Sequence, residues 1–315
     1  MDQNIFKKYS EAYGTRFTNK QKAAFRKALI EDFREIGYTH TIITGKKNFS
    51  HAVNLQFGNM KHAKTVIAVP YDTPQHIFWW KSEYYPLDGM TNANKNLIPQ
   101  FAPIIGLYVL LLGLIYGSEG RIHNMLSANL MLIVVALLMV LLFYLMLHGV
   151  ANRKNYVRNS AGIAAAYEIA KGLTKDEQRT TVFLFIDRNK TRHLGAHVAA
   201  EDFLKQSRNP NVIFLNTFAL GSQIQIGYTA QNKKLAMELS KLYQGDEKLK
   251  TVALNDAMRT SSAAEHFAKI AIIAAGEIDE KERLFVKNTA TAKDCVVDEA
   301  NIDKVIQMVS GYLKK

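Results

Sequence analysis

Cys295 is the only cysteine in the 315 residues, so neither an intramolecular disulfide framework nor a cysteine-based zinc cluster can form, and the chain suits a reducing compartment. The opening MDQNIFKKYSEAYGTRF lacks an apolar core of signal-peptide length, and export by that route is not expected. Internal repeats and low-complexity tracts are absent. Acidic residues are in deficit: 28 Asp+Glu face 40 Lys+Arg, a net charge of +12. That surplus suggests an anionic partner, with a membrane surface or nucleic acid the usual candidates. No DNA- or RNA-binding motif supports the second, so nucleic acid is not an expected partner. Leu, Ile, Val and Phe are plentiful enough for a substantial core.

Charge itself disappears in the middle of the chain. Residues 126–147, LSANLMLIVVALLMVLLFYLML, carry no formal charge, and at about 1.5 Å per residue they cross a hydrocarbon layer about 30 Å thick. Residues 97–116, LIPQFAPIIGLYVLLLGLIY, are also uncharged, although Pro99, Gln100 and Pro103 weaken the first turn. They are expected to form a second span; a buried or re-entrant segment is the alternative. The short link GSEGRIHNM would close an antiparallel hairpin. Lys81, Lys95, Arg153, Lys154 and Arg158 flank it, against Arg121 alone in the link. This bias places the flanks in the cytoplasm of a two-span protein of the cell membrane, with the soluble domain and both termini on that side.

Two spans return the chain to the side it left. Residues 1–96 and 149–315 are therefore expected to form one discontinuous domain, with the hairpin of residues 97–148 inserted. Within it, residues 18–36 show a helical apolar spacing at Ala24, Phe25, Ala28, Leu29 and Phe33, with Thr18 and Gln21 as a capping pair and Gly37 as a stop. Strands are expected at 39–44, 52–57, 65–69, 181–186, 212–216, 223–227, 270–274 and 284–287, and helices at 160–172, 195–206, 233–243 and 302–313. Their alternation predicts a three-layer α/β/α domain around a mixed, largely parallel sheet. The insertion leaves from the loop after the 65–69 strand, at the carboxyl end where open α/β sheets carry their sites.

Three stretches in order, NLQFGNMKHAKTVIAVPYDT, NYVRNSAGIAAAYEIAKGL and RTTVFLFIDRNKTRHLGAHVAAEDF, resemble the co-catalytic di-zinc exopeptidases, the aminopeptidase superfamily that also holds non-peptidase relatives such as nicalin and the transferrin receptor. Members typically show a strand ending His-Tyr-Asp, a helix opening Asp-Asn-Ala-Ser-Gly, and a strand ending Asp-Gly-Glu-Glu before Leu-Gly-Ser. The resemblance covers nearly all of the chain outside the hairpin. It implies two zinc ions held by two histidines and three carboxylates, with a further glutamate as general base.

Carried over position by position, those groups are missing. Pro70 stands where the first histidine belongs and Arg158 where the bridging aspartate belongs. Asn189 and Lys190 replace the glutamate pair. Asn216 takes the place of the later aspartate, and Asn288 that of the last histidine. Arg158 and Lys190 would repel divalent cations, and Asn189 cannot take a proton at neutral pH. No metal or other cofactor is expected. Asp72, Asn159, Gly162, Asp187 and Gly195 match retained scaffold positions, and Arg158 or Lys190 is expected to pair with Asp72 or Asp187 in place of the metals.

Other residue groups allow chemical readings as well. His193 and His197 share an i, i+4 spacing but lack an intervening glutamate, which favours surface or capping roles. Asp256, Ser261, Ser262 and His266 contain no nucleophile elbow and read as a polar loop. Arg188, Lys190 and Arg192, with Arg158, form either a solvated basic loop or a pocket for phosphate, nucleotide or lipid headgroup. His76, Phe78, Trp79, Trp80, Tyr84 and Tyr85 suggest an interfacial aromatic belt. The function expected from all this is a catalytically inactive, membrane-anchored aminopeptidase-like scaffold or binding subunit. Its partners would be the lipid bilayer and either an integral membrane protein or a second copy of itself. The alternatives are an active membrane-bound zinc metallopeptidase, if the ligands lie elsewhere, and an anion- or lipid-headgroup-binding module.

Overall fold

A computed structural model describes residues 1–48, 50–78, 82–118, 125–190, 192–245 and 249–315. The strands are β1 (His40–Lys47), β2 (Ser50–Phe57), β3 (Thr65–Pro70), β4 (Glu83–Tyr84), β5 (Thr181–Ile186), β6 (Asn211–Leu215), β7 (Gln223–Tyr228), β8 (Lys250–Ala253), β9 (Ile270–Ile278) and β10 (Leu284–Lys287). The helices are α1 (Gln3–Lys7), α2 (Asn19–Glu35), α3 (Gly89–Ser118), α4 (Met125–His148), α5 (Ala161–Lys171), α6 (Lys175–Thr180), α7 (Leu194–Lys205), α8 (Lys233–Leu242), α9 (Asp256–Arg259) and α10 (Glu299–Leu313).

One mixed sheet runs β1-β2-β5-β3-β6-β9-β10-β4, with β7 pairing β9 and β8 pairing β7. Its centre, β5-β3-β6-β9, is parallel, and the hairpin β1–β2 closes one side antiparallel. Strand β3 precedes the two long apolar helices and lies between β5 and β6, which follow them, so segments from both sides of the helix pair share a single sheet.

The central strands are buried on both faces, as parallel strands in a three-layer fold must be. In β5, Phe183 and Phe185 point to the layer of α2, α5, α8 and α10. Val182, Leu184 and Ile186 point to the layer that holds α7. Phe33 of α2 anchors the first layer, stacked on Phe57 at 4.1 Å and edge-on to Phe185 at 5.4 Å. The Thr18–Gln21 capping box expected at the start of α2 is present. Elements not foreseen are α1, α6, α9 and the short strands β4 and β8; each is six residues or fewer, too short to show a period.

Helix α3 differs from expectation in its start. It begins at Gly89, so Pro99 lies inside it, where a start near residue 97 was expected. Among the described residues one helix is long and apolar enough to cross a membrane, Gly89–Gly113 of α3, and none of its most apolar window is buried; the apolar stretch of α4, Asn129–Leu145, is shorter than that, so of the two spans expected from the sequence one meets the length. The two helices touch. Leu111 and Leu142 are buried, whereas Ile98, Val109, Leu137 and Val140 are at least 60% exposed.

Candidate functional site

The carboxyl ends of β3 and β5 carry the expected site residues. Pro70 is buried beside Ile186; its missing N–H is tolerated at the strand end, and the next amide, that of Tyr71, donates to Ile186 O at 2.9 Å. The chain then turns so that the buried carboxylate of Asp72 faces the loop after β5. It accepts the backbone N–H groups of Asn189 (2.8 Å) and Lys190 (3.3 Å). Burial raises the pKa of Asp72, opposed by the nearby Lys22 and Lys190 ammonium groups. Asn159 donates its side-chain amide to the Asp72 carbonyl, which ties the start of α5 to the same loop.

Asp187 is held differently from expectation. Its carboxylate pairs with Lys22 of α2 at 2.5 Å, both groups being almost fully buried, and it also accepts the N–H groups of Val53 and Arg188. Neither Arg158 nor Lys190 forms an ion pair with Asp72 or Asp187 among the described residues. Lys22 went unnoticed in the sequence because helical periodicity assigns a lysine to the solvent side. Arg16, fully buried, was missed for the same reason of residue type. Its guanidinium donates to Tyr71 O, Tyr9 O and Tyr13 O at 2.5–2.7 Å, and burial pushes its pKa down to about 9.

The retained glycine of this loop has a steric cause. A Cβ on Gly195 would lie 2.0 Å from Asp187 O and 2.8 Å from Asn54 Oδ1. Asn54 in turn accepts the Asp187 N–H and donates to Gly195 O, so β2, β5 and α7 meet at one point. Arg188, Arg192 and His193 all have positive φ, a conformation costing non-glycine residues of order 1–3 kcal/mol each. Fixed contacts hold the turn in that shape.

Above it lies an inner pocket of about 400 Å³ lined by Tyr84, Arg158, Asn189, Lys190, Arg192, His193 and Asn216, among others. It adjoins a wider cleft of about 1050 Å³ that reaches Tyr144, Leu147 and His148 at the end of α4 and also takes in Arg188. Four of the degenerate positions, Arg158, Asn189, Lys190 and Asn216, therefore do converge. Asp72 and Asn159 are buried positions that brace the loop. Asn288 stands apart, in a turn after β10, where its N–H donates to Ser82 O.

Inside the pocket the Arg158 guanidinium lies 3.0 Å from the centre of the Tyr84 ring and the Lys190 ammonium 3.1 Å from that of Phe17. Burial lowers the Lys190 pKa to about 8, against the pull of Asp72. Asn216 donates to Tyr84 Oη at 3.0 Å. His193 sits with Nε2 3.0 Å from Ser261 O and Nδ1 2.7 Å from Asn189 Oδ1. Burial, His266 and Arg158 push its pKa down to about 3, so at neutral pH it is the uncharged donor to Ser261. His193 thus precedes α7 at its N-cap position, as expected, but is half-buried with its ring turned to Asn189 and Ser261 and caps no helix amide; His197 is on α7, 3.3 Å from Glu201. Tyr84 and Tyr85 are buried, at 8% and 1% exposure, and belong to this site instead of an aromatic belt. Trp79 and Trp80 lie outside the described residues. The Ser262 hydroxyl donates to Arg259 O and accepts the Ala264 N–H, a helix cap and not a nucleophile.

These residues do not fit the zinc ions of the exopeptidase pattern. Among the described residues no three His, Cys, Asp or Glu come together as a metal-binding group. Asp72 and Asp187 behind the loop are engaged by backbone amides and by Lys22, Glu83 on the cleft wall is bound by Lys95 and Tyr85, and the inner pocket's lining is cationic.

Comparison with known protein families and with curated proteins finds no match. Solved structures do match over almost the whole chain. The glutaminyl cyclase of Porphyromonas gingivalis aligns with a TM-score of 0.59 at 12% identity, covering 99% of this chain and 94% of that one. The LapA aminopeptidase of Legionella pneumophila gives 0.54 at 9% identity, and 99% of this chain spans 66% of LapA. A leucine aminopeptidase precursor from Bacteroides thetaiotaomicron gives 0.52 at 14%, with 98% and 92% coverage. The chain thus has the aminopeptidase and glutaminyl cyclase fold of the zinc exopeptidases. At such identities the likeness concerns fold alone.

Proposed function

We propose that this chain is a membrane-anchored, metal-free protein of the zinc-exopeptidase fold that works by binding, as a scaffold or binding subunit of a membrane complex. The observation that carries the reading is the composition of the pocket. Where the resemblance implies zinc ligands and a general base, Arg158, Lys190, Asn189 and Asn216 line the wall. A divalent cation there would face fixed positive charge without a free carboxylate to offset it. Proton abstraction from water would lack an effective base, since the His193 ring, with its pKa lowered to about 3, holds a proton too weakly at neutral pH.

The anchor rests on α3 and α4. Large apolar side chains left in water forgo about 1.5–3 kcal/mol each, and a helix apolar all round belongs in lipid or in a protein core. Residues 1–96 and 149–315 then form one cytoplasmic domain, with residues 97–148 as a two-span hairpin in the cell membrane. The exposed faces of α3 and α4 offer surface to an integral membrane partner or a second copy of the chain. Of the flanking cations, Lys95 is paired with Glu83 at 3.0 Å and Arg158 lies in the pocket; Arg153 and Lys154 remain exposed at the hairpin's foot, and the orientation rests on them. Lys81 and Arg121 lie outside the described residues.

Metal analysis of the full-length protein, purified in mild detergent without chelators, tests the reading. The expected result is a trace of zinc and no release of product from aminoacyl substrates. About two zinc ions per chain, with chelator-sensitive hydrolysis, would make it a metallopeptidase instead.

A further inference from the structure

We propose that the basic pocket at the foot of the helix pair binds a phosphate ester, with Arg158, Lys190 and Arg192 as its anion-binding groups. The inference rests on the metal-free reading of the same pocket and names what that pocket takes instead.

Uncompensated charge is the first reason. Arg158, Lys190 and Arg192 line the inner pocket and Arg188 the adjoining cleft, yet none of the four is in an ion pair among the described residues. Asp72 and Asp187 approach them but are committed to backbone amides and to Lys22. Glu83, on the cleft wall, is bound by Lys95 and by the Tyr85 hydroxyl. Asp72 and Asp294 act on Lys190 and Arg158 from behind the loop without pairing with them, so these cations still repel one another across the pocket, and a dianion between them removes that repulsion while accepting charge-assisted hydrogen bonds.

Geometry is the second reason. Arg158 lies against Tyr84 and Lys190 against Phe17, so both cations are held before any ligand arrives, and less side-chain freedom is lost on binding. A volume of about 400 Å³ exceeds the needs of a bare phosphate and falls in the range of small-molecule sites. Beside the cations stand neutral polar groups suited to an esterified alcohol: Asn92, Asn216 and Ser262.

Position is the third. The wide cleft opens onto Tyr144, Leu147 and His148, the last turn of α4. His76 N–H donates to Val150 O and Asn152 N–H to Pro74 O, which fixes that turn beside the pocket mouth. A phospholipid headgroup in the same bilayer, or a soluble phosphate ester, could reach it.

Thermal unfolding of the full-length protein decides the matter. In mild detergent, glycerol 3-phosphate is titrated against sodium chloride of equal ionic strength. It is then repeated in nanodiscs of phosphatidylcholine alone and of phosphatidylcholine doped with phosphatidylglycerol. Stabilisation by glycerol 3-phosphate beyond chloride is expected, with half-saturation moved about tenfold upward in Arg158→Gln and in Lys190→Gln. The exposed α7 variant Lys205→Gln should match wild type. A lipid source shows as stabilisation by the doped discs that blunts the soluble response; a soluble source shows as equal responses in both discs. No stabilisation beyond chloride in any arm, or a response untouched in the Arg158→Gln/Lys190→Gln double variant, overturns the proposal. Arg192→Gln, at an exposed position, supplies the same comparison if the double variant does not fold. A zinc-free protein blind to phosphate would refute this inference alone, whereas a zinc-loaded one would refute the reading beneath it.

Discussion

In β5 every residue from Thr181 to Ile186 is buried, while in α4 Leu137 and Val140 are 66% and 67% exposed. The two segments are built from the same kinds of side chain and differ in what surrounds them. Around β5, Phe33, Tyr38 and Phe57 pack on Phe183 and Phe185 within one buried cluster that removes water from them. Along α4, which touches α3, Leu142 is buried while most of the other described large apolar residues stay exposed. The hydrophobic effect applies equally to both, and a segment left this bare is what the proposed anchor would place in a different solvent. Polar groups show the complementary contrast. In the domain, Arg16 and Lys22 are buried and held by hydrogen bonds and an ion pair; in α4, from Met125 to Tyr144, the sequence contains no ionisable group except that tyrosine.

The sharpest way to break this contrast within the domain is Lys22→Met. It leaves the Asp187 charge buried without its partner, and a loss of about 3–5 kcal/mol is expected by chemical denaturation; a loss below about 1 kcal/mol would mean that the pair is not dry. Second in size is Leu137→Arg. On a water-exposed helix such a change stays within about 0.5 kcal/mol, whereas at the centre of a bilayer it costs about 2.5–3.5 kcal/mol. Loss of alkaline-resistant membrane association is expected, and retention at the wild-type level would remove the anchor.

A smaller pair of effects concerns pH. His193 has a pKa lowered to about 3, so in acid the unfolded chain takes up a proton that the folded chain refuses. Its contribution is present above about pH 6.5 and is lost as pH falls toward 3, and His193→Gln should flatten that part of the profile. Asp294, whose oxygens accept the Val157 and Arg158 N–H groups, is raised to about 7 by burial. Here the folded state binds the proton more tightly, so its contribution is lost as pH rises from about 4 to 7, and Asp294→Asn should remove that decline. Each group can change the slope by at most about 1.4 kcal/mol per pH unit. Equal signs for the two variants in urea titrations across that range would contradict the assigned environments. Least of all, Phe78→Ser, at a side chain 55% exposed, should alter domain stability by no more than about 0.5 kcal/mol.

Much of the sheet was legible because its signals are local. The run TVFLFI matches β5 residue for residue, and LFVK matches β10. The convergence of Arg158, Asn189, Lys190 and Asn216 on one pocket agrees with the order in which the resemblance places them. What stayed hidden depends on tertiary approach. Nothing local marks Lys22 as the partner of Asp187, 165 residues away, or brings Tyr84 to Asn216 across 132. The expected pairing of Arg158 or Lys190 with Asp72 failed because backbone amides reached that carboxylate first. Tyr84 and Tyr85 looked interfacial from their neighbours in sequence, but β4 pairs with β10 and turns them inward.

The central claim is an exchange of charge preference at one place in the fold: a site whose resemblance implies divalent cations has become one for anions. Parallel thermal unfolding of the full-length protein in detergent, with zinc chloride in one series and sodium phosphate in the other, tests it most directly. Phosphate should raise the midpoint and zinc should leave it unchanged. Stabilisation by zinc with no response to phosphate would contradict the account.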